Sequence, residues 1–147
     1  MHAAQMAEEY PVIDLDSDAI DAAKLLAEHR LPGILVIDAN GKPHSVLPAS
    51  QVVLFIVPKY VQDDPSLAGV LNDSMCMQVV KRLRGKKVRD VIPERLTKIP
   101  AAKHDDNIVE VAALMSKYKS PLVAVQDGDR LIGVITSSRL LEVALAN

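Results

Sequence analysis

A chain of 147 residues with 49% hydrophobic content has room for one domain, or two small fused ones, around a real core, although only 3% of it is aromatic. A formal net charge of −2 argues against a nucleic-acid partner. The single cysteine, Cys76, excludes an internal disulfide, no apolar run is longer than Val52–Val57, and the N-terminus has neither a basic region nor a long apolar one. The expectation is a soluble cytoplasmic protein with no direct membrane insertion.

Residues 1–9 read as a short helix with Ala3, Met6 and Ala7 on one side, packed within the chain or exchanged onto a partner chain. Pro11-Val12-Ile13 reads as an edge strand, its proline at the start where a missing donor is tolerated. From Ser17 a helix carries Ile20, Ala23, Leu26 and Ala27, and Leu31-Pro32 leads to an apolar strand from Gly33 to Ile37. Asp38-Ala39-Asn40-Gly41 is a hairpin turn, because Asn-Gly tolerates the left-handed geometry that two-residue turns require. A short strand at Ser45-Val46-Leu47 is followed by Pro48-Ala49-Ser50 and a helix through Val52, Val53 and Ile56.

Residues 58–95 are too many for a bare loop. Asp63-Asp64-Pro65-Ser66 is a helix start with an acidic cap and proline at the first helical position. Leu67, Val70, Leu71, Met75, Val79, Val80 and Leu83 continue an apolar stripe, which Asn72-Asp73-Ser74 divides, and Gly85 is a C-cap. The stripe predicts a segment that covers the fold or a dimer interface. Lys81, Arg82, Arg84, Lys86, Lys87 and Arg89 read either as an anion site or as a solvated helix end whose cations complement the dipole.

The last stretch repeats the first. Asp106 or Asn107 caps a helix striped by Ile108, Val111, Ala112, Met115 and Tyr118, with Glu110 in its first turn. Ser120-Pro121 ends it, Leu122–Val125 is a buried strand, and Gln126–Arg130 is a turn. Leu131–Ile135 is a second strand, and Thr136-Ser137-Ser138 caps a last helix carrying Leu140, Leu141, Val143, Ala144 and Leu145. Ala23 and Ala112, Leu26 and Met115, Pro32 and Pro121 are each 89 positions apart; Val46-Leu47 and Val134-Ile135 are 88 apart. The shared order of these matches marks an internal duplication.

At these residues the chain resembles the CBS domain family, named after cystathionine β-synthase, arranged as a free-standing tandem pair. Val88-Arg89-Asp90-Val91-Ile92-Pro93 resembles the lead-in that often precedes such a domain. Glu110–Met115, Pro121–Val125 and Leu131–Thr136 match the domain itself best. The resemblance implies an α/β (α+β) fold: two helix-strand-strand-helix units with small sheets, packed as an intramolecular pair with an inserted helical linker. The expected division is an N-terminal helix and first unit over 1–58, a linker over 59–95 and a second unit over 96–147.

The family often holds an adenosine nucleotide in a cleft between the units, with the adenine against the apolar strand. In it a Gly-h-h-Thr/Ser-x-x-Asp segment (h apolar) receives ribose and phosphate at a helix N-terminus. Carried onto this sequence, the second cleft involves Ile99, Pro121, Val123 and Gly133, then Thr136, Ser137, Ser138 and Arg139. Arg139 stands where the family has its aspartate. It cannot accept the ribose hydroxyls, though it can pair with a phosphate. Thr136 reads equally as a plain N-cap. In the first copy Ser45, Pro48 and Gln51 replace glycine, threonine and aspartate, so that cleft reads as degenerate.

No catalytic constellation accompanies this. His2, His29, His44 and His104 share no metal-ligand spacing, and each reads as an ordinary surface or half-buried residue. Met75 and Met77 beside Cys76 read as core filler rather than a soft-metal site. Asp14, Asp16, Asp18 and Asp21 lack the glycine and terminal glutamate of a calcium loop. The expectation is a non-enzymatic module requiring no cofactor and acting as a homodimer through Val52, Val53, Ile56, Leu140, Val143 and Ala144. It either senses an adenine nucleotide (AMP, ADP, ATP or S-adenosylmethionine) near Thr136, or serves as a ligand-free interaction module. In both cases it acts on a partner enzyme or transporter.

Overall fold

The computed structural model describes residues 1–92 and 99–146. Two three-stranded sheets form, each from one half of the chain. In the first, β1 (Val12–Asp14) lies parallel to β2 (Gly33–Ile37), which pairs antiparallel with β3 (Pro43–Pro48). In the second, β4 (Ala101–Lys103), β5 (Leu122–Asp127) and β6 (Arg130–Thr136) repeat that arrangement. The repeat extends to the register. Val12 sits opposite Leu35 and Ala101 opposite Ala124, while irregularities fall at Val36/Ile37 and at Val125/Gln126, all 89 positions apart. β4 is a strand the hydrophobic pattern does not reveal, because Ala101-Ala102-Lys103 has no alternation strong enough to read.

Each sheet is covered on one face by its own helices. In the first unit these are α2 (Ala19–Glu28) and α3 (Ala49–Ile56); in the second, α7 (Ile108–Tyr118) and α8 (Ser137–Leu145). Asn107 is the cap of α7: its side chain accepts from the Glu110 amide at 2.9 Å, and Glu110 accepts in return from the Asn107 amide at 3.2 Å. Thr136 caps α8, accepting from the Arg139 amide at 3.1 Å.

The lead-in helices cross over. α1 (Ala3–Met6) is shorter than the expected 1–9 span and buries Ala3 and Met6 among Val111, Val123 and Ile135 of the second unit. α6 (Val88–Val91) buries Val88 and Val91 among Ala22, Ile34 and Leu47 of the first. The same contacts hold both: Ala3 N donates to Asp106 O and Val88 N to Ser17 O, at 2.8 and 2.9 Å. Each unit therefore completes its core with the segment that precedes the other, which locks the two halves together.

The remaining faces of the two sheets meet each other. Leu35 from β2 and Leu122, Ala124 and Val134 from the second sheet are buried there, with Tyr10, Ile37, Val46, Ile99 and Leu131 packed around them. This seam explains why Leu122–Val125 is apolar at every position: one alternate set faces the helices and the other the partner sheet.

Between the units, α4 (Lys59–Asp63), a tight 3₁₀ turn over Pro65–Val70, α5 (Asp73–Val80) and a second 3₁₀ turn over Lys81–Leu83 form the insertion. Asp64 accepts from the Ser66 amide beside Pro65, as the acidic start predicts, and Asn72 begins a separate helix by accepting from the Met75 amide at 2.9 Å. Gly85 adopts φ +76, the left-handed conformation expected of a C-cap. The expected covering role needs correction within the chain. Leu83 enters the first core, but Val70 and Met75 are exposed, because the switch between 3₁₀ and α geometry at Leu71–Asn72 breaks the stripe's period. Met75 and Met77 are therefore not the core filler expected of them: both side chains are exposed.

Candidate functional site

The site grows from one bond made twice. The loop before each middle strand is tied to the start of its unit's last helix: Ala49 N donates to Pro32 O, and Ser137 N to Pro121 O, both at 3.0 Å. At the edge of the sheet–sheet seam these loops bound a cleft of about 350 Å³. Tyr10, Arg30, Leu31 and Pro32 line it from the first part of the chain, and Pro121, Thr136, Ser137 and Ser138 from the second.

Its hydroxyls already have partners. Thr136 Oγ1 holds the Arg139 amide and lies 3.1 Å from Ser138 Oγ, and Ser137 Oγ donates to Pro121 O at 3.2 Å. A hydroxyl has one donor and two acceptor positions, so these bonds leave capacity for a ligand. Arg30 is the charged side chain of the lining, with no carboxylate among the described residues there.

Tyr10 forms one wall, its hydroxyl donating to Gly33 O at 2.7 Å. Burial pushes its pKa up to about 12, since the tyrosinate would lose its hydration. The unfolded state therefore releases this proton near pH 10 and the folded state only near 12. Stability contributed by Tyr10 is complete below pH 10 and falls as pH rises through that interval. Tyr10→Phe should remove this part of the alkaline loss, so urea midpoints of the two proteins should converge between pH 9 and about 12. Parallel curves would contradict the assignment.

Four of the expected site residues, Pro121, Thr136, Ser137 and Ser138, come together in this cleft. Ile99 is not among the lining residues; it packs, half-buried, against the apolar cluster of the seam. Three others are elsewhere. Val123 points to the opposite face of β5, into the helix-side core with Met6 and Val111, because strand side chains alternate. Gly133 faces the N-terminal segment: a Cβ there would lie 2.7 Å from Glu8 O. Arg139 turns away from the cleft, donating from Nε to Met6 O at 3.2 Å and from Nη1 to Glu142 at 2.7 Å, with Glu8 3.7 Å away.

The first copy explains Arg139. Gln51, its counterpart 88 positions earlier, donates from Nε2 to Val91 O at 3.1 Å. Both units thus place a side-chain donor where the family pattern has aspartate, and both use it to hold the carbonyl ending a crossed-over helix. A carboxylate could not make that bond. Arg139→Ala should destabilise the fold by about 1–2 kcal/mol and speed amide exchange in residues 3–8, without altering cleft affinity directly. Unchanged exchange there would contradict the tether.

Tyr10, Arg30, Leu31 and Pro32 are the lining residues that sequence reasoning missed. The duplication could have found Pro32, which is Pro121's counterpart; nothing in the pattern singles out Tyr10. A separate hollow of about 520 Å³ around Lys103, His104, Asp105 and Asp127 is lined by the second unit alone and has mixed charge. Among the described residues, no three His, Cys, Asp or Glu side chains are grouped to hold a metal ion.

Paired three-stranded sheets with crossed-over lead-in helices and a cleft at their seam define a CBS pair, and the sequence matches the CBS domain over residues 3–58 and 88–146. The chain belongs to the CBS domain family. It is 55% identical to a CBS domain-containing protein of unknown function from Kribbella flavida, with a TM-score of 0.89 over 99% of both chains. An uncharacterised protein of Methanocaldococcus jannaschii is 29% identical over 91% of this chain and 85% of its own length. CBSX2 from Arabidopsis thaliana is 20% identical with a TM-score of 0.74, covering 99% of this chain and 94% of that one. A structure of CBSX2 in complex with AMP is 21% identical with a TM-score of 0.68, covering 99% and 96%. At that identity the CBSX2 likeness concerns the fold alone.

Proposed function

We propose that this CBS pair is a regulatory module that senses an adenine nucleotide in the Thr136 cleft and acts, as a homodimer, on a partner enzyme or transporter. The observation that carries the reading is the 350 Å³ cleft itself, which joins hydroxyls of one unit to Arg30 of the other. A ligand there would bridge both units, so its binding energy would bear on their relative placement. The AMP complex of the distantly similar CBSX2 supports the ligand class.

Homodimerisation is supported by the outward faces of the terminal helices, where Val53 is 59%, Leu141 58% and Leu145 80% exposed. Of the residues expected in that interface, Val52 is instead 8% exposed and belongs to the first core, Ile56 packs partly against the same core, and Leu140 and Val143 pack partly against the second. Light scattering at micromolar concentration should give twice the 16.0 kDa chain mass.

A second reading, a ligand-free interaction module, is favoured by one feature: the aspartate positions are committed to backbone tethers through Gln51 and Arg139. Thermal unfolding with AMP, ADP, ATP and S-adenosylmethionine separates the two. A ligand at a hundred times its Kd should add about 2.7 kcal/mol, roughly 5–10 °C for a chain of this size. No shift with any of the four would favour the interaction module.

A further inference from the structure

We infer that Arg30 selects the cleft's ligand by charge, so that the site takes a phosphate-bearing nucleotide and rejects the cationic S-adenosylmethionine. This rests on the nucleotide reading and names the chemistry that reading leaves open.

The conformation of Arg30 is the starting point. It has φ 51, and Lys119, its counterpart 89 positions later, has φ 49; these are the non-glycine residues with positive φ among those described. Both follow a helix end and precede a proline-containing loop. That left-handed position favours glycine or asparagine, and a long side chain there carries a conformational cost. Cations near a helix C-terminus offset part of the cost through the dipole, and this applies equally to both residues. The cleft divides them. Arg30 lines it opposite Ser137 and Ser138, whereas Lys119 does not.

Arg30 also has charge to give. Among the described residues, the ion pairs involve Lys42, Arg89, His104 and Arg139, and no carboxylate lies within pairing distance of Arg30. A phosphate between its guanidinium and the facing hydroxyls would receive charge-assisted bonds from one unit and neutral ones from the other. S-adenosylmethionine, a sulfonium of net positive charge without a phosphate, would meet an unpaired cation, with no carboxylate among the described lining residues to offset it.

Glycine at each of the two positions provides the test, because it removes the side chain and relieves the backbone together. Arg30→Gly and Lys119→Gly should both leave the apo melting temperature unchanged or raise it by about 2–4 °C. Calorimetry with ATP, AMP, adenosine and S-adenosylmethionine should then distinguish them. Wild type should bind ATP and AMP more tightly than adenosine, with S-adenosylmethionine weakest. Arg30→Gly should lose about tenfold to a hundredfold for ATP while adenosine is unchanged, and Lys119→Gly should match wild type throughout. If wild type binds adenosine and ATP equally, or Arg30→Gly keeps full ATP affinity, the charge assignment is overturned while the nucleotide reading stands. If wild type binds none of the four, both are overturned.

Discussion

Leu122→Ala is expected to destabilise the protein by about 2–5 kcal/mol, the range for truncating a fully buried leucine whose surroundings cannot collapse. Leu122 is 0% exposed and lies where the two sheets face each other, beside Leu35, Ala124 and Val134. Both walls of this seam are strands already fixed by their hydrogen-bond ladders, so the vacated volume stays open. Urea or thermal unfolding would read the change, with a fall in melting temperature of roughly 4–20 °C. Leu35→Ala shares the same cluster, so the double variant should depart from additivity by about 0.5 kcal/mol or more. A Leu122→Ala protein unfolding within a degree of wild type would mean that the seam does not hold the units together.

Gly133→Val should cost about 2–4 kcal/mol, for a different reason: the new side chain collides with backbone. Its Cβ would stand 2.7 Å from Glu8 O and 3.2 Å from Ala7 Cβ. The N-terminal segment would have to withdraw, breaking the paired bonds between Glu8 and Val134 at 2.9 and 3.0 Å. Met6 would then leave the second core, which it helps to fill. Gly69→Ala is the control, since a Cβ there meets nothing within 4 Å. Proteolysis should cut near residues 7–10 in Gly133→Val and not in the control. Equal stability of the two variants would contradict the close approach.

Gly133 has a local role that its sequence motif does not announce. The family pattern marks it as part of a ligand segment, yet here it makes room for a strand-like partner from the chain's own beginning. The duplication was legible because it is ordered: matches at 89 and 88 positions carry over to strand register and to the irregularity within each sheet. It even holds the missing strand, since Pro100 stands 89 after Pro11 and β4 begins one residue later, as β1 does.

What the pattern did not show is long-range. That α1 packs on the second unit and α6 on the first depends on where the chain goes between them, and a four-residue helix carries too little periodicity to say. Arg139 reads as a cleft cation from its position in the family motif. Its direction is set by Met6 O, 133 residues away, which no local pattern contains. Tyr10 and Arg30 reach the cleft from the other half of the chain for the same reason.

The most direct test of the central claim, that this cleft is a ligand site joining the two units, is an amide-resolved NMR titration of wild type with AMP and ATP. The predicted result is saturable shifts at Tyr10, Arg30 and Leu31 together with Thr136, Ser137 and Ser138, which come from both halves of the chain and line the cleft together. Spectra that stay unchanged to millimolar nucleotide, or shifts confined to Lys103–Asp105 and Gln126–Gly128 around the other hollow, would contradict it.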